Sequence, residues 1–215
     1  MRVYLDVCCL NRPFDDQTQE RIHLETEAIE TVLTYVERGL WQWVGSNLME
    51  LEAMLNSDVE RRFRVLRLMV AVQEHVAVES LDHKRAGRLV ELGFKAMDAL
   101  HVACAERARV DVFLTTDDRL IKTAARQAEV LRMPVANPLK WLEEQLLNAQ
   151  TMTPQEVRIR GFDALKRELG VVGTLRFMHQ YERGEGNYSK ERHALIDDLD
   201  LDAIMARLQI LSTPL

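Results

Sequence analysis

Four acidic residues of this 215-residue chain stand where a sheet would bring them together. Asp6 ends a short apolar run at the N-terminus, and Glu50 lies one turn into the helix after a second such run. Asp117 follows the run 111–115, and Asp98 opens the helix before that run. Ligands of parallel α/β sheets collect at the carboxyl ends of the strands. We therefore expect the four carboxylates to converge there.

Carboxylates that converge repel one another unless a cation neutralises them. Oxygen ligands favour Mg²⁺ or Mn²⁺ over zinc or copper. Such an ion polarises a phosphodiester and supplies a bound hydroxide near neutral pH, so no general-base histidine is required. The pattern thus predicts a metal-dependent phosphodiester-cleaving site. The chain has 34 acidic residues, so each of the four candidates taken alone is better explained as a solvated charge or a helix cap, and it is their joint pattern that favours a site.

The elements that must position these residues alternate between strands and helices. Five β-type runs are separated by helical patterns: 2–6, 41–45, 75–78, 111–115 and 130–135. This alternation predicts an α/β domain with a parallel sheet and helices on both faces. The second acid stays open, because Glu52 lies two residues beyond Glu50 and about 200° further round the helix.

Composition restricts the class of protein. Hydrophobic residues make up 47% and charged residues 29% of the chain, which is typical of a globular protein with a real core. No run is long and apolar enough to cross a membrane and no signal peptide is evident, so a cytoplasmic protein is expected. The three cysteines include no C-x-x-C pair, which argues against a disulfide framework or a zinc knuckle. The net charge of −6 argues against non-specific coating of nucleic acid, but not against cutting it.

Three motifs carry a resemblance to a known family. Tyr-Leu-Asp at 4–6, Met-Asp-Ala-Leu-His-Val-Ala at 97–103 and Phe-Leu-Thr-Thr-Asp-Asp-Arg-Leu at 113–120 resemble the PIN-domain family, in particular VapC-like toxin ribonucleases. The resemblance covers roughly residues 1–140. It implies a three-layer α/β/α domain, a divalent metal (Mg²⁺ or Mn²⁺) and endonucleolytic cleavage of structured RNA.

The resemblance also implies roles for individual residues. Thr115 or Thr116 would offer a hydroxyl near the metal water, and Val7 departs from the Ser or Thr that many relatives carry there. His101 shares a helix face with Asp98 and is expected to be bonded near the site more than to bind metal. The resemblance implies an acidic tetrad that also supplies the metal ligands: Asp6, Glu50, Asp98 and Asp117. Of these, Asp6 and Asp98 are favoured as direct ligands.

The last third of the chain changes character. A capping box at 153–156 opens a helical region, and no strand is predicted after Val135. The stretches 153–161, 175–177 and 184–193 look similar to small helical partners of PIN toxins. We expect a PIN-like domain at 1–138, a linker helix at 139–151 and a helical antitoxin-like module at 152–215.

This module is expected to bind near the metal site and silence it. A basic side chain would pair with the acidic cluster and displace the metal, with Arg158, Arg160 or Arg176 as candidates. The alternative is a structural extension that packs on the sheet or forms a dimer contact. The basic helix containing Arg61, Arg62, Arg64 and Arg67 is expected to be a solvated face, with RNA steering as the alternative.

These patterns predict a metal-dependent endoribonuclease of the toxin–antitoxin type, restrained by its own C-terminal module. The expected partners are an RNA substrate and an antitoxin-like module in cis or a separate antitoxin. A homodimer is compatible with the sequence, and no membrane association is expected. The alternative function is a catalytically silent, self-neutralised fusion that acts as a regulatory or binding protein.

Overall fold

The structure, a computed structural model, describes residues 1–148, 163–170, 173, 187–197 and 199–211. Residues 163–170 are helical and are labelled α9. The other elements are β1 Arg2–Leu5, α1 Val7–Asn11, a 3₁₀ turn Arg12–Phe14, α2 Glu20–Glu37, β2 Gln42–Ser46, α3 Asn47–Leu55, α4 Val59–Met69, β3 Glu74–Val76, α5 Ser80–Glu91, α6 Ala96–Arg107, β4 Val112–Leu114, α7 Asp118–Arg126, β5 Val135–Ala136, α8 Pro138–Asn148, α10 Tyr188–Ile196 and α11 Leu201–Leu211.

All five strands pair in parallel, in the order β3-β2-β1-β4-β5. The chain runs outward from β1 through β2 to β3, returns to place β4 on the other side of β1, and then adds β5. The strand order therefore reverses between β1 and β4, which is the position where open α/β sheets bind their ligands. Asp6 follows β1 directly, and Asp117 lies three residues after β4.

Helices flank the sheet, and the predicted three-layer α/β/α class is confirmed. Helix α2 packs against α8, and α5 packs along α6. The central strand β1 is buried on both faces, because Val3, Tyr4 and Leu5 are all inaccessible to solvent. This burial fixes the backbone that leads into Asp6.

Two elements differ from the sequence prediction. The extended piece expected at 130–135 is shorter and later, since only Val135 and Ala136 pair with β4. The preceding residues turn instead, with the Val130 amide donating to the Gln127 carbonyl. The short helix α1, which begins directly after Asp6, was not predicted, because five residues are too few to show a helical period.

Within the part of 152–215 that the structure describes, all regular elements are helices. Helix α10 contacts α1, and α11 packs on α3, α5 and α6. The α11 side chains of Ile204 and Leu208 are buried. The capping box at 153–156 and the candidate arginines Arg158, Arg160 and Arg176 lie outside the described residues. The domain boundaries remain predictions. Among the helices described, none combines the length and the apolar character that crossing a bilayer requires.

Candidate active site

Asp6 occupies the centre of the carboxyl edge of the sheet. It caps α1, its Oδ1 accepting the Val7 amide at 2.8 Å. Its Oδ2 accepts the Thr115 hydroxyl at 2.7 Å and lies 3.0 Å from the Cys8 Sγ. These bonds fix both carboxylate oxygens. The Thr115 hydroxyl, from the residue after β4, donates to Asp6, whereas the side chain of Val7 has no polar group.

Asp117 is fixed from the neighbouring strand. Its backbone amide donates to the Thr115 hydroxyl at 3.1 Å, and its Oδ1 caps α7 by accepting the Arg119 and Leu120 amides. One hydroxyl on Thr115 therefore links the two aspartates. The other carboxylate oxygen of Asp117, Oδ2, takes no part in the helix cap and belongs to the acidic cluster.

The structure brings Glu52, and not Glu50, to this edge. The Glu52 side chain is 0% exposed, whereas that of Glu50 is 52% exposed and lies 4.0 Å from His75. Glu50 must therefore be corrected as the second acid of the cluster. The phase of α3 explains the difference, since Glu52 shares the buried face with Leu48. The sequence left this open because Met54, at the same phase as Glu50, is apolar yet exposed.

His101 orients Glu52. Its Nε2 lies 3.0 Å from the Glu52 Oε2, and its Nδ1 lies 2.7 Å from the Tyr4 hydroxyl, which in turn bonds the Ser46 hydroxyl at 2.6 Å. Both ring nitrogens are thus engaged. The histidine is bonded beside the site, as expected.

A guanidinium lies in the middle of the four carboxylates. Arg192 of α10 is 0% exposed, and its Nη1 is 3.1 Å from Asp6 and 3.5 Å from Asp117. Its Nη2 is 3.0 Å from Glu52 and 3.5 Å from Asp98. Burial lowers the pKa of Arg192, but the surrounding carboxylates outweigh this and raise it well above its usual value. The arginine stays charged and supplies the cation that the cluster requires.

The carboxylates respond to this crowding in different ways. Burial raises the pKa of Asp98 to about 6, with Asp6 and Asp117 adding to the rise and Arg192 opposing it. Burial acts in the same direction on Asp6, but Arg192 and the hydrogen bonds from Cys8 and Thr115 bring its pKa below the usual value. Asp6 is therefore held in its charged form more firmly than Asp98.

A second arginine joins the cluster to α10 from outside. Arg119 donates to Asp98 Oδ2 at 3.0 Å and to Asp197 Oδ2 at 2.6 Å, and it lies 3.6 Å from Asp117. Oδ1 of Asp197, the C-cap of α10, also lies 3.3 Å from Nδ1 of His193. Helix α10 thus pairs with the α/β domain in two ways. Its Arg192 binds the acidic cluster, and Asp197 at its C-terminal end binds Arg119.

The start of α10 is anchored by a buried polar network. Arg12, which is 2% exposed, donates to the Ser189 hydroxyl at 2.9 Å and to Asp15 at 3.0 Å. Asp15 accepts the Tyr188 amide at 2.8 Å, and the Ser189 hydroxyl bonds Thr116 at 2.7 Å. The 3₁₀ turn Arg12–Phe14 and the adjoining Asp15 therefore hold the start of α10 in place.

The donor set fits a divalent cation. Asp6, Glu52 and His101 each offer a ligand atom, and these atoms all lie within 4.8 Å of one another. With Asp98 and Asp117 beside them, the site is rich in carboxylate oxygen, the ligand type of Mg²⁺ and Mn²⁺. Arg192 contacts the carboxylates of Asp6 and Glu52 in the same cluster, so we expect the guanidinium and a metal to exclude each other.

Sequence reasoning missed two features of the cluster. Arg192 lay within the stretch 184–193 that carried the antitoxin-like resemblance, but it was not singled out. The signal was the spacing of Tyr188, Arg192 and Ile196 by four residues, which places them on one helix face. All three are buried. Arg119 was not identified either, because its pairing with Asp98 depends on the tertiary fold.

Comparisons with known proteins give little further information. No protein-family model and no curated protein matches this chain. Among solved structures, it is similar to the crystal structure of VapBC2 from Rickettsia felis bound to a DNA fragment from their promoter. The TM-score is 0.41 and the identity 11%, over 64% of this chain and 98% of the other. At this level of similarity the match does not identify a function, so the geometry of the acidic cluster remains the evidence.

Proposed function

We propose that this chain is a divalent-metal-dependent endoribonuclease of the toxin–antitoxin type, held inactive by its own C-terminal segment. The observation that carries the proposal is the complete burial of Arg192 among four carboxylates. Four acidic groups at the point where strand order reverses need a cation. In this state of the protein an arginine from α10 fills that need.

The proposed metal ligands are Asp6, Glu52, Asp98 and Asp117, with Glu52 in the place first assigned to Glu50. A bound Mg²⁺ or Mn²⁺ would polarise the scissile phosphodiester and provide the attacking hydroxide. The chain's own contribution is to hold the ligands in position. Thr115 and the Val7 amide hold Asp6, and His101 holds Glu52.

RNA is the proposed substrate because the motifs at 4–6, 97–103 and 113–120 resemble those of VapC-like ribonucleases. The antitoxin-like partner is proposed to be the segment around α10, acting in cis. Its arginine competes for the carboxylate oxygens that a metal would need, so docking of α10 and metal binding are mutually exclusive.

The test compares the full-length protein with Arg192→Ala on a pool of structured RNA, with Mn²⁺ and with a chelator. We expect Arg192→Ala to cleave RNA in Mn²⁺ at least about tenfold faster than the parent, which corresponds to about 1.4 kcal/mol of lost restraint. Lys190→Ala is the matched control. Lys190 is an exposed cation of the same helix, and its loss leaves Arg192 in place.

Specificity for the site is checked with Asp98→Asn in the Arg192→Ala background, which should abolish the cleavage. If Arg192→Ala binds Mn²⁺ but cuts no RNA, the nuclease assignment is wrong. The second candidate function then stands, a silent fusion acting through binding, and the observation that favours it is the same buried arginine.

A further inference from the structure

A second charged feature lies away from the acidic cluster, in a cleft of about 750 Å³ between α5, α6 and the segments leading into β4 and β5. Val110 and Met133, which line it, precede these two strands. The cleft therefore lies toward the amino ends of β4 and β5, whereas Asp6 and Asp117 lie at the carboxyl edge of the sheet. Six cationic side chains line it: Lys84, Arg85, Arg88, Arg107, Arg109 and Arg132.

The acidic residues of the cleft are already neutralised. Asp82 and Glu106 are both buried, and each binds one arginine of the cleft. Asp82 accepts the Arg107 Nε at 2.9 Å, and Glu106 accepts Arg85 through both carboxylate oxygens at 2.7 and 2.8 Å. These pairs hold two arginines in fixed positions and leave four cations in excess.

The four remaining cations are exposed. Lys84, Arg88, Arg109 and Arg132 form no side-chain ion pair with any residue of the described part of the chain. In the basic helix that the sequence suggested, by contrast, three of the four arginines contact other groups of the described chain. Arg61 donates to the buried Asp15, Arg62 to the Asn56 carbonyl, and Arg64 pairs with Glu60.

Arg109, which lines the same cleft, has an unusual backbone conformation. Its φ is +54°, and among the described residues no other residue except glycine has a positive φ. Arg109 follows the C-cap of α6, a position that favours glycine because other side chains are disfavoured there. A strained backbone that persists is a reason to look for a functional role of its side chain.

We propose that this cleft binds the phosphate backbone of nucleic acid, independently of whether Arg192 occupies the acidic cluster. A cleft with four excess cations in a chain of net charge −6 is suited to a polyanion, and phosphate contacts by Lys and Arg supply sequence-independent affinity. The choice of RNA as the natural ligand rests on the proposed function. The affinity for phosphates rests on the cleft alone.

The test measures binding of a short labelled single-stranded RNA to the full-length protein by fluorescence anisotropy. A chelator is present throughout, so that no cleavage or metal binding contributes. We expect an affinity that falls steeply as salt is raised, because bound phosphates release counterions. Arg88→Glu combined with Arg132→Glu is expected to weaken binding by at least about tenfold at about 0.1 M salt, where exposed charges outside the cleft are largely screened.

The matched control is Arg38→Glu combined with Lys140→Glu, two exposed cations outside the cleft that change the net charge equally. It should bind within about threefold of the parent, since separated surface charges are screened. DNA of the same sequence should bind similarly, because phosphate contacts do not read the sugar. Salt-insensitive binding, a strong preference for RNA over DNA, or equal losses in both double variants would overturn the proposal.

Phosphate binding at the cleft and RNA cleavage at the acidic cluster can fail independently of each other. RNA cleavage by Arg192→Ala without binding at the cleft would retain the nuclease and reject the cleft. Salt-sensitive binding lost in the cleft variant, without any cleavage by Arg192→Ala, would retain the cleft and reject the nuclease.

Discussion

Arg192 and the four carboxylates around it stabilise one another only as a set. A buried charge that loses its partners is strongly destabilising, because the desolvation cost of each remaining charge is no longer offset. At this site the arginine is the shared partner of Asp6, Glu52, Asp98 and Asp117. A divalent cation is the one other group expected to replace it.

Arg192→Ala is therefore expected to lower the free energy of unfolding by about 3–5 kcal/mol in the absence of metal. Added Mn²⁺ should restore much of this loss, since a ligand that binds only the folded state stabilises it. Thermal unfolding with and without Mn²⁺ measures both effects. Arg61→Ala serves as the control, because it removes a buried arginine that donates to Asp15 and Phe14 instead. A Mn²⁺ response of equal size in both variants would contradict the assignment of the metal site.

Glu52 and Glu50 provide a matched pair on one helix. In the Arg192→Ala background, Glu52→Gln is expected to weaken Mn²⁺ binding at least about tenfold, because an anionic ligand oxygen is lost from a buried site. Glu50→Gln should leave the affinity nearly unchanged, since its side chain is half exposed. Titration calorimetry measures both. The opposite result would return the second acid to Glu50.

At the scale of the element, α10 docks through two kinds of contact. Its buried face carries Tyr188, Ser189 and Arg192, which reach Asp15, Arg12 and the acidic cluster. Its C-terminal end carries Asp197, which pairs with Arg119 at 2.6 Å on the partly exposed side. The second contact fixes the orientation of the helix without entering the cluster.

Asp197→Asn should loosen α10 while leaving Arg192 able to bind. Loss of one charge-assisted hydrogen bond of about 1.5 kcal/mol predicts an increase of about tenfold in amide exchange across 188–196. Hydrogen exchange with mass spectrometry measures the change. Asp202→Asn is the control, because its side chain is 94% exposed in the next helix. Equal exchange in the two variants would show that Asp197 does not hold the helix.

The elements also show how far the sequence determines this site. Strands β1 and β4 were predictable because their apolar runs end at Asp6 and in the Thr-Thr-Asp turn before α7. The orientation of α3 was not, since apolar residues occur all round it and leave its phase undefined. The four-residue spacing around Arg192 indicates a buried helix face, but it does not indicate which residues that face contacts. The insertion of Arg192 into the cluster depends on where α10 packs, about 75 residues after Asp117 along the chain.

At the scale of the whole molecule, competition between Arg192 and a divalent metal for the acidic cluster would link metal binding to the docking of α10. If docking of α10 and metal binding exclude each other, as proposed, a metal binds only molecules whose α10 has undocked, and its apparent affinity is reduced by the fraction of such molecules. If one molecule in about 100 has α10 undocked, the apparent affinity for Mn²⁺ is about 100-fold weaker than the intrinsic affinity. Removing Arg192 abolishes this penalty.

Arg192→Ala is therefore expected to bind Mn²⁺ at least about tenfold more tightly than the parent protein, with Lys190→Ala unchanged. The linkage is reciprocal, so saturating Mn²⁺ should also increase amide exchange across 188–196 in the parent protein. Calorimetry gives the first quantity and hydrogen exchange the second. Equal affinities, with α10 equally protected at saturating Mn²⁺, would mean that metal and arginine occupy the cluster together. The helix would then be a structural support of the site, and release of α10 would not be needed for activity.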